Sequence, residues 1–270
     1  MKLTLNNGQQ IPQLGLGVYK VNQDIAVQLV GTAIDLGYRR IDTAALYDNE
    51  QEVGAAIRKS SVPREEIYVT TKIWNNRQGY HESKEAIEES LDRLNIGYVD
   101  MMLIHWPAPK QNKFVETWRA FEEVLEGGKI RGIGVANFNI HHLEQLLESA
   151  NVVPALNQVE LNPTFQQPEL RAFNTKHGIA TEAWAPLGRA KILDHPVLVE
   201  IAAAHGKSAA QVVIRWHLQI GNLVIPKSSN PDRLSENLDV FDFSLSESDM
   251  QLIASMDTGI RASNNPDDFD

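Results

Sequence analysis

Asp42, Tyr47, Lys72 and His105 are the residue types that proton transfer to a carbonyl oxygen needs. A tyrosine hydroxyl is a weak acid near neutral pH. Its reference pKa is about 10, and lowering that by two to three units takes roughly 3–4 kcal/mol. One positive charge at ~4 Å contributes about 4 kcal/mol at an effective dielectric of ~20. A lysine beside Tyr47 would therefore favour the phenolate, provided that the lysine stays charged. Asp42 is placed to keep Lys72 charged and in position. His105 is then the donor that aims a carbonyl oxygen at Tyr47, so that the oxygen is protonated as hydride reaches carbon. Singly, these are ordinary residues: a strand-end lysine paired with an aspartate, a surface-loop tyrosine, a structural histidine. Their shared placement makes the case.

Asp42, Lys72 and His105 each follow an apolar run that reads as a strand, and Tyr47 lies in the loop after the first. Arg39-Arg40-Ile41 leads into Asp42, Ile67-Tyr68-Val69-Thr70-Thr71 into Lys72, and Val99-Asp100-Met101-Met102-Leu103-Ile104 into His105. From residue 13 onward such runs alternate with longer amphipathic stretches, a βαβα rhythm that calls for a parallel sheet. Eight strands are expected, at 14–18, 38–41, 67–71, 99–104, 130–135, 155–159, 180–183 and 223–225. Eight strand–helix units in about 250 residues is the count of a (β/α)8 TIM barrel, whereas a doubly wound sheet has fewer strands and a glycine-rich first turn. In such a barrel the active site lies at the carboxyl ends of the strands, where Asn137, Gln158, Trp184 and Lys227 end strands five to eight. In the stretch 82–94, Ala86, Ile87, Ser90, Leu91 and Leu94 share one face, as expected of a helix packed outside the barrel. Stretches 141–147 and 208–216 behave alike. Residues 2–11 are expected to form an N-terminal hairpin that closes the barrel floor, with Asn6-Asn7-Gly8 as a type I′ turn. The acidic tail 263–270 is expected either to be mobile or to fold over the active face.

With 270 residues, 43% of them hydrophobic, the chain suits one large core and a single domain over 1–270. The 25 lysines and arginines are scattered in a chain of net charge -10, which argues against a nucleic-acid partner. The absence of cysteine removes disulfides, iron–sulfur ligands and thiolate chemistry, and makes structural zinc unexpected. The start has no apolar core of signal-peptide length, and no segment approaches the ~20 apolar residues of a membrane span. The expectation is a soluble cytoplasmic protein with a small-molecule partner.

Three other features invite different chemistry. Gly15-Leu16-Gly17 suggests a dinucleotide turn, but Lys20 stands at the third glycine position. His141 and His142, adjacent at a helix start, are expected to point in different directions and so not to pair on a metal. Glu182, near the end of strand seven, could be a glycosidase nucleophile, yet strand four ends in His105 and not in a partner acid.

The segments Gly37-Tyr38-Arg39-Arg40-Ile41-Asp42-Thr43-Ala44-Ala45-Leu46-Tyr47-Asp48-Asn49-Glu50, Thr71-Lys72-Ile73-Trp74 and Leu103-Ile104-His105-Trp106-Pro107 resemble the aldo-keto reductases. So do Gly132-Ile133-Gly134-Val135-Ala136-Asn137-Phe138, Asn157-Gln158-Val159-Glu160-Leu161-Asn162-Pro163 and Ile225-Pro226-Lys227-Ser228 with Arg233 and Glu236-Asn237. Trp184-Ala185-Pro186-Leu187-Gly188 and the short loops are most similar to the bacterial branch containing 2,5-diketo-D-gluconate reductases. The resemblance covers nearly the whole chain. It implies an NADPH-dependent, monomeric carbonyl reductase with Asp42, Tyr47, Lys72 and His105 as its catalytic set. It also implies that Asn137 and Gln158 hold the nicotinamide carboxamide and Trp184 stacks on the ring. Leu187 and Gly188, in the loop 187–189, would meet the pyrophosphate. Lys227, Ser228 and Arg233 would meet the 2′-phosphate, and Glu236 and Asn237 the adenine. Tyr19, Trp74, His105 and Trp106, with Asp48 or Asn49, would line a pocket for small aldehydes, dicarbonyls or keto-sugar acids. Ala136 stands where serine is frequent, and Asn230 where some relatives carry a basic residue, which leaves room for NADH as well. The rival from another class is an NADPH-binding barrel with a sensor or regulatory role and little turnover.

Overall fold

In the computed structural model, which describes residues 1–270, eight strands form one parallel sheet. They are β3 (Leu16–Gly17), β4 (Arg40–Asp42), β5 (Tyr68–Ile73), β6 (Met101–Ile104), β7 (Ile133–Ala136), β8 (Leu156–Glu160), β9 (Ala180–Trp184) and β10 (Leu223–Val224), each beside its sequence neighbour. The two ends meet. Leu14 bridges Val224 in parallel, Gly15 N donates to Val224 O at 2.9 Å, and Val224 N donates to Gln13 O at 2.8 Å. The sheet is thereby closed into the expected barrel. Close packing on both sides of this strand explains the glycines of the Gly15-Leu16-Gly17 run. A Cβ on Gly15 would lie 2.9 Å from Arg40 Nε, and one on Gly17 3.1 Å from Ile225 O.

Helices cover the outside through apolar stripes. In α3 (Tyr80–Leu94), Ser83, Ala86, Ile87, Ser90 and Leu94 are buried, while Leu91, expected on the same face, is only half-buried.

The hairpin pairs β1 (Lys2–Thr4) with β2 (Gln10–Pro12), setting Leu3 opposite Ile11. Its turn is not type I′. That turn needs two positive φ angles, and only Gly8, at +83°, has one. Gly8 N donates to Leu5 O at 2.9 Å and Leu5 N to Gln9 O at 2.9 Å, which is a type I turn with a glycine bulge. Asn6 is held in place by its side chain, which donates to Pro154 O at 3.0 Å.

Leu5 and Ile11 pack with Tyr68, Met101, Leu103, Leu156 and Leu223 in an apolar cluster separate from the shell between strands and helices. This is the barrel floor, and burying each of the two hairpin side chains stabilises by about 1.5–3 kcal/mol. Side chains alternate faces along a strand. Tyr68 at the floor therefore puts Thr70 and Lys72 on the same inward row, with Lys72 nearest the mouth.

Candidate active site

Lys72 is fully buried, and each of its three ammonium protons has an acceptor. Nζ donates to Asp42 Oδ1 at 2.6 Å, to Thr43 O at 2.9 Å and to Tyr47 Oη at 3.4 Å. The ammonium form is fully satisfied by these three acceptors, with the Asp42 carboxylate nearest. Burial pushes the Lys72 pKa down, and the Asp42 charge and hydrogen bond oppose it. The second Asp42 oxygen accepts from Gln158 Nε2 at 2.8 Å.

Tyr47 ends a single 3-10 turn (Ala45–Tyr47) directly after β4, and left-handed Asp48 closes it. Its hydroxyl differs from the sequence expectation. Burial holds the phenol well above its ordinary pKa, and the charge of Asp42 and the neighbouring Tyr19 push the same way. The bond from Lys72 is long, so desolvation and Asp42 prevail. Tyr47 is a neutral phenol, a proton donor.

His105 follows β6 and is held well below its ordinary pKa, first by burial and then by the Lys72 charge. It is a neutral imidazole whose Nδ1 is buried without a partner. An unpaired acceptor costs less than an unpaired N–H, which favours the proton on Nε2. Its ring lies edge-on to Tyr47, with centroids 5.7 Å apart.

Aromatic rings wall this cluster. Tyr19 is 5.0 Å from the Tyr47 ring and Trp74 is 5.0 Å from His105. Phe269, which sequence reasoning left out, lies 4.6 Å from Trp106 and 6.0 Å from Trp74. It arrives on the acidic tail, which folds over the active face. Glu160 accepts from Ala262 N at 3.0 Å, Asp267 Oδ1 from Asn139 Nδ2 at 2.7 Å, and Asp270 Oδ1 from Lys110 N at 2.9 Å. A lone aromatic ring in a polar tail was the signal available in the sequence. Asn49 is not a pocket wall. It is fully buried, accepts from Thr43 Oγ1 at 2.8 Å and donates to Val18 O at 3.0 Å.

His141 and His142 do not diverge as expected. Their Nε2 atoms are 3.1 Å apart and lie 3.2 and 3.6 Å from Asp267 Oδ1. His142 Nδ1 accepts from Asn139 N at 3.2 Å, which puts the neutral ring's proton on Nε2. The group is a carboxylate received at the start of α5 (Ile140–Leu147), where the helix dipole favours an anion. Glu182 is not a nucleophile either. It forms a fully buried ion pair with Arg40 inside the barrel.

The remaining strand ends ring the mouth. Asn137 follows β7 at φ +64°, a left-handed conformation that asparagine tolerates. Its Nδ2 donates to His105 O at 2.9 Å, and its Oδ1 accepts from Trp184 Nε1 at 2.8 Å. After β9, Leu187 precedes a turn in which Gly188, Arg189 and Ala190 are all left-handed, with φ +55°, +55° and +66°. For the two non-glycine residues this costs roughly 1–2 kcal/mol each, and such strain gathers where a loop binds something. After β10, Lys227 and Arg233 are exposed and neither meets a carboxylate. Ser228 Oγ donates to Asn230 O at 3.2 Å, and Asn230 caps α9 (Pro231–Leu238) by accepting from Asp232 N at 2.8 Å. On α9, Glu236 is half-buried and Asn237 buried. Ala136 is fully buried in the interior apolar cluster.

Residues 12–258 match the Aldo/keto reductase family. The chain belongs to this family. It is 49% identical over 266 residues to the glyoxal reductase of Bacillus subtilis (strain 168), covering 98% of this chain and 96% of that one. It is 44% identical over 269 residues to the methylglyoxal reductase DkgA of Escherichia coli (strain K12), covering 99% and 97%. A crystal structure of a Gox0644 mutant in complex with NADPH superposes with a TM-score of 0.96 at 45% identity, over 100% of this chain and 98% of that one.

As an aldo/keto reductase the protein is an oxidoreductase, and the barrel mouth gathers polar and charged side chains on one face. A neutral phenol, an ammonium and a neutral imidazole converge beside aromatic walls. Free cations and a strained loop follow β9 and β10, where barrels commonly hold phosphate. No single helix is long and apolar enough to cross a membrane.

Proposed function

We propose that this chain reduces small dicarbonyls and related aldehydes or keto-sugar acids, such as 2,5-diketo-D-gluconate, to alcohols, with NADPH as reductant and Tyr47 as proton donor. The observation that carries this reading is the Lys72 ammonium shared between Asp42 Oδ1 at 2.6 Å and Tyr47 Oη at 3.4 Å. A carbonyl oxygen between Tyr47 and His105 accepts from both. NADPH, when bound, supplies the hydride. As negative charge grows on the oxygen, Tyr47 gives up its proton and Lys72 stabilises the phenolate left behind. The raised Tyr47 pKa does not block reduction, since an alkoxide is a far stronger base than a phenolate. In the oxidative direction Tyr47 is the base, and the same pKa favours alkaline conditions.

Asn137 and Gln158 hold the carboxamide, Trp184 the nicotinamide face, and Leu187 and Gly188 the pyrophosphate. Lys227 and Arg233, cations without a partner in a chain of net charge -10, suit the doubly charged 2′-phosphate, with Ser228 beside them and Glu236 and Asn237 at the adenine. Tyr19, Trp74, Trp106 and Phe269 wall the site with aromatic rings, which suits a small substrate. The likeness to glyoxal and methylglyoxal reductases supports reading dicarbonyls as the first substrates to try. The enzyme is read as a single-domain monomer over 1–270.

The test is loss of NADPH absorbance with glyoxal, methylglyoxal, keto-sugar acids and simple aldehydes. Wild type should turn over the dicarbonyls, and Tyr47→Phe should lose about 10²–10⁴-fold in kcat, the range of one general acid. An enzyme that binds NADPH and oxidises none of it, or a phenylalanine variant at full rate, would overturn the reading. Lys227→Gly should narrow the preference for NADPH over NADH; an unchanged preference would move the phosphate elsewhere.

A further inference from the structure

Gln158 does more than face the cofactor. Its Nε2 donates to Asp42 Oδ2 at 2.8 Å, so that both oxygens of that buried carboxylate are engaged, Oδ1 by Lys72 and Oδ2 by Gln158. Its main-chain carbonyl accepts from Asn137 N at 2.8 Å, and Asn137 Nδ2 donates in turn to the main-chain oxygen of His105 at 2.9 Å. The two residues assigned to the carboxamide are thus joined through the sheet to each other, Gln158 by its side chain to Asp42 and Asn137 to the backbone of His105.

We propose that Gln158 is a positioning residue for the Asp42–Lys72 pair, which ties the nicotinamide pocket to the proton relay. This rests on the reductase reading above. Lys72 and Gln158 are the two side-chain donors to Asp42. The other charged or titratable groups facing the pair cannot replace Gln158. Arg40 is engaged by Glu182 and by Pro12 O, Glu50 by Thr71 and Arg93, and Tyr47 and His105 make no bond to Asp42. A buried carboxylate that loses a donor is a stronger base, so the proton it shares with Lys72 shifts from Nζ toward Oδ1 and less of the ammonium remains beside Tyr47. Without Gln158 the relay weakens across the pH range, while loss of a proton from the pair to solvent, which would leave Asp42 an anion with no side-chain donor, needs a higher pH.

The experiment compares Gln158→Met, which keeps the length and removes the donor, with Gln158→Glu, which keeps the shape and turns the donor into a carboxyl. For each, the pH profile of kcat is recorded at saturating NADPH with methylglyoxal, NADPH affinity by quenching of tryptophan fluorescence, and folding by thermal melting. In Gln158→Met, kcat should fall about tenfold and the alkaline limb move up by about one pH unit, the scale of one hydrogen bond to a charged group. In Gln158→Glu the limb should move up further, because a second carboxyl beside Asp42 holds a shared proton and, once ionised, favours the Lys72 cation; this variant carries the test if Gln158→Met fails to fold. Weaker NADPH binding with kcat and its pH profile unchanged would make Gln158 a cofactor contact only and overturn the proposal. Tyr47→Phe at full rate in the same assay would instead sink the reductase reading.

Discussion

Replacing Lys72 by methionine separates what the buried ion pair does for the fold from what it does for the reaction. The substitution leaves Asp42, 1% exposed, as an anion whose remaining side-chain donor is Gln158. Stranding one partner of a buried pair costs about 3–5 kcal/mol of stability. Adding Asp42→Asn removes the stranded charge while leaving Gln158 an oxygen to donate to, and the double variant should return to within about 1 kcal/mol of wild type. Activity should not follow. A unit charge 3.4 Å from the Tyr47 oxygen is worth about 5 kcal/mol at an effective dielectric of ~20, or roughly 10³–10⁴ in rate. Both variants should lose kcat on that scale. Urea unfolding followed by tryptophan fluorescence gives the stabilities, and NADPH absorbance the rates. A double variant within tenfold of wild-type kcat would show that the Lys72 charge does not carry the proton transfer. A single variant as stable as the double would show that Asp42 is not a buried anion.

Phe269→Ala removes the ring lying on Trp106 and Trp74. It should raise kcat/KM for bulky aromatic aldehydes relative to methylglyoxal by about tenfold, the lower range of what pocket shape discriminates; an unchanged ratio would mean that the tail does not bound the substrate. Burial pushes His217 down to about 3 from 6.5, so below pH 6.5 the unfolded chain takes up a proton that the folded chain refuses. Its contribution to stability is complete above pH 6.5 and is lost progressively as pH falls toward 3. At pH 5 that loss is about 2 kcal/mol. Comparing urea midpoints at pH 5 and pH 7, His217→Gln should lose less than wild type by about that amount, and identical pH dependence in the two proteins would refute it.

The barrel was legible because parallel strands with both faces covered read as near-continuous apolar runs. Residues 99–104, apolar except for Asp100, show this directly. The seam strands Leu16–Gly17 and Leu223–Val224 are so short that only the rhythm of the whole chain located them. Asp42, Lys72 and His105 were legible for a related reason: the strand end fixes where a side chain must be, and the residue type fixes what it can do there. The tail was half legible. Its sequence left mobility and folding over the active face both open, because docking depends on the distant Glu160, Asn139 and Lys110. The direction of the Tyr47 pKa was misread for a physical reason as well. Sequence pairs tyrosine with lysine, whereas the folded site adds desolvation and the facing Asp42, and these outweigh a 3.4 Å hydrogen bond.

The interior of the barrel ties these elements together. Above the apolar floor of Leu5, Ile11, Tyr68 and Met101 lies the buried pair Arg40–Glu182, and above that Asp42–Lys72. The four charges sum to zero, yet they are not independent. Arg40 pushes the Lys72 pKa down while Asp42 lifts it, and Asp42 also supports Arg40, whose own pKa burial lowers to about 10. Such couplings are strong only where water is excluded, because their energies scale inversely with the local dielectric. The exclusion is the work of Leu5 and Ile11 at the opposite end of the molecule. Water admitted at the floor would first solvate Arg40 and Glu182, and Lys72 would then feel Asp42 without the opposing charge beneath it. The N-terminal hairpin therefore belongs to the electrostatics of the relay, although it contributes no atom to the reaction.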